Sequence, residues 1–134
     1  MIVDSNVVID LLHGEGERAE KVIAAYVELA SVQSMRVNAV IVAETASGSP
    51  NLRAYEERLA QLRLEMVQLD TADAYRASHA FRDYRRKGGP RETILPDFLI
   101  GAQAEVKGWP ILTRDPKRFS NYFPEVRLIN PLKA

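Results

Sequence analysis

The chain has 134 residues, 46% of them hydrophobic, and 18 basic and 18 acidic side chains give a formal net charge of zero. This length predicts one compact domain over residues 1–134, and the neutral total is not that of a general polyanion binder. Cysteine is absent, which excludes disulfides and thiolate metal sites; no apolar run could cross a membrane and Asp4 comes too early for a signal peptide, so we expect a soluble cytoplasmic protein.

The chain opens with a short apolar strand that leads directly into an acid, Asp4. Ser5 and Asn6 follow, and the apolar run 7–12 then predicts a helix for which all three polar residues are suitable N-caps. Asp4 taken alone is therefore explained by helix capping. Apolar side chains at helical spacing predict a second, amphipathic helix over 17–30.

The segment 35–46 admits two interpretations. Its β-branched residues favour a strand, but a strand that ends at Val37 and a helix capped by Asn38 also fit the sequence. Under either interpretation Glu44 stands in apolar surroundings. A carboxylate there needs a hydrogen-bond donor, a cation or a metal, because an unpaired buried charge is costly.

The middle of the chain is interpreted as structural. It predicts a helix over 49–62, a third strand over 65–69 and a further helix over about 72–87. Asp70 and Asp73 resemble a capping box at the start of that last helix.

The segment 94–119 places two acids at the ends of predicted elements. Pro96 suits the first position of a helix, which puts Asp97 in its first turn, beside the positive end of the helix dipole. A buried strand over 110–113 then delivers Asp115 to its carboxyl edge. Either acid alone also has a structural explanation, as a dipole partner or an N-cap. Small residues follow Asp97 at helical spacing: Gly101, Ala104 and Gly108.

Strands alternate with helices throughout, up to a last edge strand over 126–129. The predicted fold is therefore α/β, with a central, mostly parallel sheet and helices on both faces. Such sheets bind ligands beyond the carboxyl ends of their strands, so Asp4, Asp97 and Asp115 can converge on a single edge. Independent helix caps would not require this convergence.

Four short motifs then resemble the PIN-domain nucleases, and most of all the VapC-type toxin ribonucleases of bacterial toxin–antitoxin pairs. They are VDSN at 3–6, the isolated Glu44, PDFLIGAQA at 96–104 and LTRDPKRF at 112–119. The resemblance extends from Met1 to about residue 129. It implies a parallel sheet in strand order 3-2-1-4-5, an Mg²⁺- or Mn²⁺-dependent endoribonuclease, a homodimer and a cognate antitoxin that blocks the site.

By matching position, the resemblance also implies the site residues. Four carboxylates brought together repel one another unless a divalent cation neutralises them. We expect Asp4 and Asp97 as direct metal ligands and Asp115 as a ligand directly or through water. Glu44 either contacts these ligands without binding the metal or binds a second metal. Some relatives carry a further acid just after the last aspartate, where this chain has Pro116, so the number of metals stays open. The supporting polar residues are Ser5, Asn6 and Thr113.

Positive charge is concentrated in the segment 82–91, which contains five basic residues and a single acid, Asp83. It is either a solvated helix end or a patch that contacts phosphates. The predicted RNA contacts are Arg82, Arg85, Arg86, Lys87, Arg91 and, beside Asp115, Arg114.

Other protein classes also place acids at strand ends. A receiver-type phosphotransfer protein would have paired acids after the first strand, and a haloacid-dehalogenase-like phosphatase an acid where this chain has Asn6. The alternative that stays open is a PIN fold that binds RNA or a partner protein without cutting.

Overall fold

A computed structural model describes residues 1–89 and 94–133. Within them, five short strands form one sheet in the order 3-2-1-4-5, and each neighbouring pair is parallel, which confirms the predicted topology. Arg91, a predicted RNA contact, lies outside the described residues. The strands are β1 (Ile2–Val3), β2 (Met35–Val37), β3 (Leu64–Met66), β4 (Ile111–Leu112) and β5 (Leu128–Ile129).

Helices connect these strands, as the alternating pattern predicts. The helices are α1 (Ser5–His13), α2 (Glu17–Ala30), α3 (Ala39–Thr45), α4 (Leu52–Gln61), α5 (Thr71–Arg86), α6 (Ile94–Lys107) and the single turn α7 (Lys117–Ser120). The predicted capping box of Asp70 and Asp73 is present at the start of α5. None of the helices in the described ranges is long and apolar enough to cross a membrane.

Several element boundaries differ from the sequence predictions, and two of the differences lie in segments that carry acids of the candidate site. The ambiguous segment 35–46 is a strand followed by a helix, because the side chain of Asn38 accepts a 3.1 Å hydrogen bond from the backbone N–H of Ile41 and caps α3. Pro96 was expected at the first helical position, but α6 begins two residues earlier. A proline is tolerated there because the first four N–H groups of a helix have no intrahelical partner.

The core sits around the two central strands. The side chains of β1 and β4 are fully buried, and so is Phe98 of α6, which forms an aromatic cluster with Tyr84, Tyr122 and Phe123. In the order 3-2-1-4-5 the strand that follows β1 lies on one side of the central pair, and the strand that follows β4 lies on the other side. The crevice at their carboxyl ends is where open parallel sheets bind ligands.

Candidate active site

Asp4 is the centre of the candidate site and is fully buried. It follows β1 and caps α1, where its Oδ1 accepts a 2.8 Å hydrogen bond from the backbone N–H of Ser5. Its Oδ2 accepts hydrogen bonds of 2.7 Å from the Thr113 hydroxyl and 2.7 Å from Nη1 of Arg118. Burial raises the pKa of Asp4, although these donors oppose the shift. Asp4 therefore caps α1 as predicted, but capping uses only Oδ1, and Oδ2 has other partners.

Asp4 and Asp97 share one cation. Asp97 lies in the first turn of α6, with 14% of its side chain exposed, and its Oδ1 accepts a hydrogen bond from Nη2 of Arg118. Because Nη1 of the same guanidinium binds Asp4, Arg118 joins carboxylates from two separate elements. Burial alone would lower the pKa of Arg118, but the hydrogen bond to Asp97 and the charges of the neighbouring carboxylates raise it.

Thr113 connects the segment after β4 to the start of α1. Besides donating to Asp4, its hydroxyl accepts hydrogen bonds from the backbone N–H of Asp115 at 3.0 Å and from Nδ2 of Asn6 at 3.4 Å. Asn6 in turn accepts a 3.2 Å hydrogen bond from the backbone N–H of Arg114. The structure thus brings Asp115 to the same edge of the sheet as Asp4, although Asp115 is exposed and Asp4 is buried.

Glu44 does not stand in apolar surroundings, contrary to the sequence interpretation. Helix α3 buries Ile41 and Thr45, one turn apart, while Ala43 and Glu44 are exposed. The apolar composition of the segment was misleading because short alanine-rich helices leave one face in solvent. Glu44 nevertheless reaches the site, since its Oε1 accepts a 2.6 Å hydrogen bond from the hydroxyl of Ser5.

The acids of this edge are suited to a hard divalent cation. Nowhere in residues 1–89 and 94–133 do three histidine, aspartate or glutamate side chains lie close enough to hold a metal ion between them. Asp4 and Asp97 do already direct oxygens at one cation, the Arg118 guanidinium. Mg²⁺ prefers oxygen ligands and commonly takes one or two carboxylates, completing its shell with water and phosphate oxygens. The donor type and the carboxylate pair therefore fit such an ion.

Comparison with known proteins decides the family. The family model of the PIN domain matches residues 1–122. The chain belongs to the PIN domain family. The match covers Asp4, Glu44, Asp97 and Asp115, and so confirms the family resemblance that their motifs carry. No curated protein matches the chain.

Three solved structures share the fold of this PIN domain. FitAcB from Neisseria gonorrhoeae is 24% identical, with 99% of each chain covered and a TM-score of 0.70. VapBC2 from Rickettsia felis, bound to a DNA fragment from their promoter, is 16% identical, with 96% of each chain covered and a TM-score of 0.73. A toxin–antitoxin complex from Klebsiella pneumoniae is 21% identical, with 97% of this chain and 96% of that chain covered and a TM-score of 0.68.

Sequence reasoning missed two residues of this PIN domain's site region, Arg118 and Asp10. Asp10 is 4% exposed on α1, and its Oδ2 lies 2.8 Å from Nε of Arg114, with Arg18 3.8 Å from the other oxygen. An acid inside the apolar run 7–12 was a signal for a buried partner, by the argument applied to Glu44. Arg114 is thereby held beside the segment that carries Asp115.

The predicted basic residues lie on the last turns of α5 and just beyond it. Arg82, Arg85, Arg86 and Lys87 are exposed there. The Arg85 guanidinium lies 5.8 Å from the Phe81 ring, and the Lys87 ammonium lies 5.6 Å from the Tyr122 ring. Both rings contact Phe98, the neighbour of Asp97. One aromatic cluster therefore connects this basic surface to the helix that carries Asp97.

Proposed function

We propose that this PIN domain is the toxin of a toxin–antitoxin pair, a metal-dependent endoribonuclease that hydrolyses RNA phosphodiester bonds. One observation carries the proposal: Asp4 and Asp97 share a cation at the crevice beyond β1 and β4. Aspartates that only cap helices or interact with solvent need not converge on a single cation. The family membership and the toxin–antitoxin complex among the similar structures support it.

In this proposal Asp4 and Asp97 would bind Mg²⁺ or Mn²⁺ directly, and Asp115 would bind it directly or through water. Glu44 would contact these ligands or bind a second ion. When bound, the ion supplies a Lewis acid that activates the attacking water and offsets charge on the phosphate. Thr113 fixes Oδ2 of Asp4 by its hydrogen bond. Asp115 and Glu44 are exposed, which leaves one side of the site open to RNA and solvent.

RNA binding in this proposal uses the basic surface at the end of α5. Its exposed cations would neutralise backbone phosphates, an interaction that weakens as salt concentration rises. These cations are exposed on the last turns of α5, where a strand that leaves the crevice could reach them. Arg114 keeps 22% of its side chain exposed while paired with Asp10, so it can contribute at the crevice itself. The contact from Arg91 stays a prediction.

We further propose a cognate antitoxin as the partner. The similar structures include a toxin–antitoxin complex, which supports this assignment. A groove of about 290 Å³ between α2 and α4 offers an apolar docking surface, in which Ile23 and Val27 are 37% and 60% exposed beside Leu62. An antitoxin segment with an apolar helical face fits this groove by burying those side chains. The homodimer stays a prediction, which light scattering on the purified chain would test.

Cleavage of total RNA by the purified protein tests the proposed activity. The reactions contain Mg²⁺, Mn²⁺ or EDTA, and the variants are Asp4→Asn and Asp97→Asn. Asp70→Asn is the matched control, because it makes the same substitution at an exposed acid and asparagine also serves as an N-cap. We expect discrete fragments that require a metal, vanish in both site variants and persist in the control.

Two outcomes contradict the proposal in different ways. Cleavage that survives both site variants would exclude the carboxylate site. No cleavage by the wild type with either ion, in a sample that binds RNA, would instead favour the non-catalytic PIN fold.

A further inference from the structure

We propose that Arg118 occupies the cation position of the acidic site and competes with the divalent ion for Asp4 and Asp97. The guanidinium pairs with both carboxylates, and it must release them before the ion can bind. The inference rests on the proposed function only for the identity of the metal site. It assigns a role in metal binding to a residue outside the acidic quartet, the four acids Asp4, Glu44, Asp97 and Asp115.

The hydrogen-bond pattern of Asp4 is the first argument. Oδ1 is taken by the backbone N–H of Ser5, which the capping geometry of α1 fixes. Oδ2, the oxygen that Arg118 joins to Asp97, already accepts from both Thr113 and Arg118. A carboxylate oxygen has two lone-pair sites, so an ion can reach Oδ2 only if one of these donors leaves.

The identity of the donor that leaves follows from its side chain. Thr113 is fully buried and its hydroxyl also accepts from the backbone N–H of Asp115, so it is fixed on both sides. Arg118 has a long side chain that is 26% exposed. Its backbone is anchored separately, because the next residue, Phe119, is fully buried. The guanidinium can therefore swing out while α7 stays in place.

Electrostatics predicts the direction of the exchange. Asp4 and Asp97, each with little or no exposure, carry two negative charges that share the single positive charge of Arg118. A divalent ion neutralises the pair more completely and also attracts the phosphate oxygens of RNA. The released guanidinium remains at the rim of the site, where its planar donors suit a phosphate group. The exchange thus turns a structural cation into a substrate-binding group.

Metal binding without RNA tests this inference. The affinity of Mn²⁺ is measured by calorimetry for the wild type, Arg118→Gln and Arg118→Lys, together with the melting temperature in EDTA and in excess Mn²⁺. Lys117→Gln is the matched control, because it removes an adjacent exposed charge from the same turn. It separates competition for the carboxylates from the general loss of one positive charge.

We expect Arg118→Gln to bind Mn²⁺ about tenfold more tightly than the wild type, since two charge-assisted hydrogen bonds no longer compete. Its melting temperature should be lower than that of the wild type in EDTA and recover in Mn²⁺. Arg118→Lys should bind more tightly than the wild type but less so than the glutamine variant, because an ammonium lacks the fork that joins two carboxylates. The control should stay within about twofold of the wild type.

Unchanged or weaker Mn²⁺ affinity in both Arg118 variants would overturn the inference. If the glutamine variant does not fold in EDTA, the lysine variant decides by the same comparison. Mn²⁺ competition combined with a complete absence of RNA cleavage would overturn the proposed nuclease and leave the role of Arg118 intact. The two failures are therefore distinguishable.

Discussion

The hydroxyl of Thr113 donates a 2.7 Å hydrogen bond to the buried Oδ2 of Asp4, although 109 residues separate the two in the chain. The bond ties the carboxyl end of β4 to that of β1. Neither residue can shift without disturbing the other, so the geometry of the central acid depends on a neutral hydroxyl.

Replacing Thr113 with valine should lower both stability and activity. The substitution keeps the side-chain shape but removes one of the donors to the buried carboxylate of Asp4 and leaves the backbone N–H of Asp115 without its partner. We expect the free energy of unfolding in urea to fall by about 1–3 kcal/mol, and cleavage to fall roughly tenfold to a hundredfold. Thr113→Ser, which restores the hydroxyl, should recover most of both; equal losses in the two variants would point to the methyl group instead.

Glu44 offers the opposite test, because it is exposed and contacts the site only through Ser5. Glu44→Gln should change the free energy of unfolding by less than about 0.5 kcal/mol, as surface substitutions usually do. Cleavage should nevertheless fall by about tenfold or more if the carboxylate helps to hold a metal. Glu28→Gln, an exposed acid on α2, serves as the control. Full activity in the Glu44 variant would remove this residue from the site.

The pair formed by Asp10 and Arg114 should be structural. Asp10→Asn removes the charge that faces Arg114 in a nearly buried position, and we expect a loss of about 2 kcal/mol in the free energy of unfolding. The double variant with Arg114→Gln should be less destabilised than the sum of the two single variants, which a double-mutant cycle measures. Additive losses would show that the two side chains do not interact.

The basic surface should contribute affinity that depends on salt. In Arg85→Ala/Arg86→Ala we expect KM for RNA to rise with kcat unchanged, and the slope of log affinity against log salt to fall by about 0.7 for each phosphate that is no longer neutralised. The control is Lys21→Ala/Arg53→Ala, which removes the same charge from exposed ion pairs on α2 and α4. An equal change in the control would mean that only the net charge matters.

Tyr26 should make stability depend on alkaline pH. Burial raises the pKa of this phenol from 10.0 to about 12, and its hydroxyl donates a 2.6 Å hydrogen bond to the carbonyl of Leu62. The fold therefore favours the protonated phenol, whose contribution is complete below pH 10 and is lost as pH rises towards 12.

Replacement with phenylalanine measures that contribution. Tyr26→Phe should be less stable than the wild type by about 1–2 kcal/mol at pH 7, and the difference should shrink between about pH 10 and 12. Tyr75→Phe, on an exposed tyrosine, is the control. A difference that does not vary with pH would show that ionisation of this phenol is not linked to folding.

The family resemblance implied the sheet order, and the local pattern of the sequence predicted that acids reach the carboxyl edge of the sheet. The local pattern was informative because strand, acid and helix follow one another directly at Asp4. It failed for the environment of Glu44, because apolar composition does not say which face of a short helix is buried. Whether each acid of the quartet binds metal stays a prediction.

Arg118 could not be found from the sequence. Its partners Asp4 and Asp97 lie 114 and 21 residues away, and only the folded chain brings them together. Local pattern shows Arg118 as one of several cations around Asp115, where a surface role is the simplest interpretation. The identity of its partners is a tertiary fact, set by the packing of α7 on α6 and by the position of α7 beside Asp4.

The long separation between Asp4 and Thr113 also orders events during synthesis. Asp4 is synthesised well before its partners Thr113 and Arg118, which follow it by 109 and 114 residues. Domains form their long-range contacts only when the segments that make them are present. A nascent chain or a prematurely terminated product therefore contains no assembled site. Only a chain that includes the segment after β4 can place Thr113 and Arg118 on Asp4.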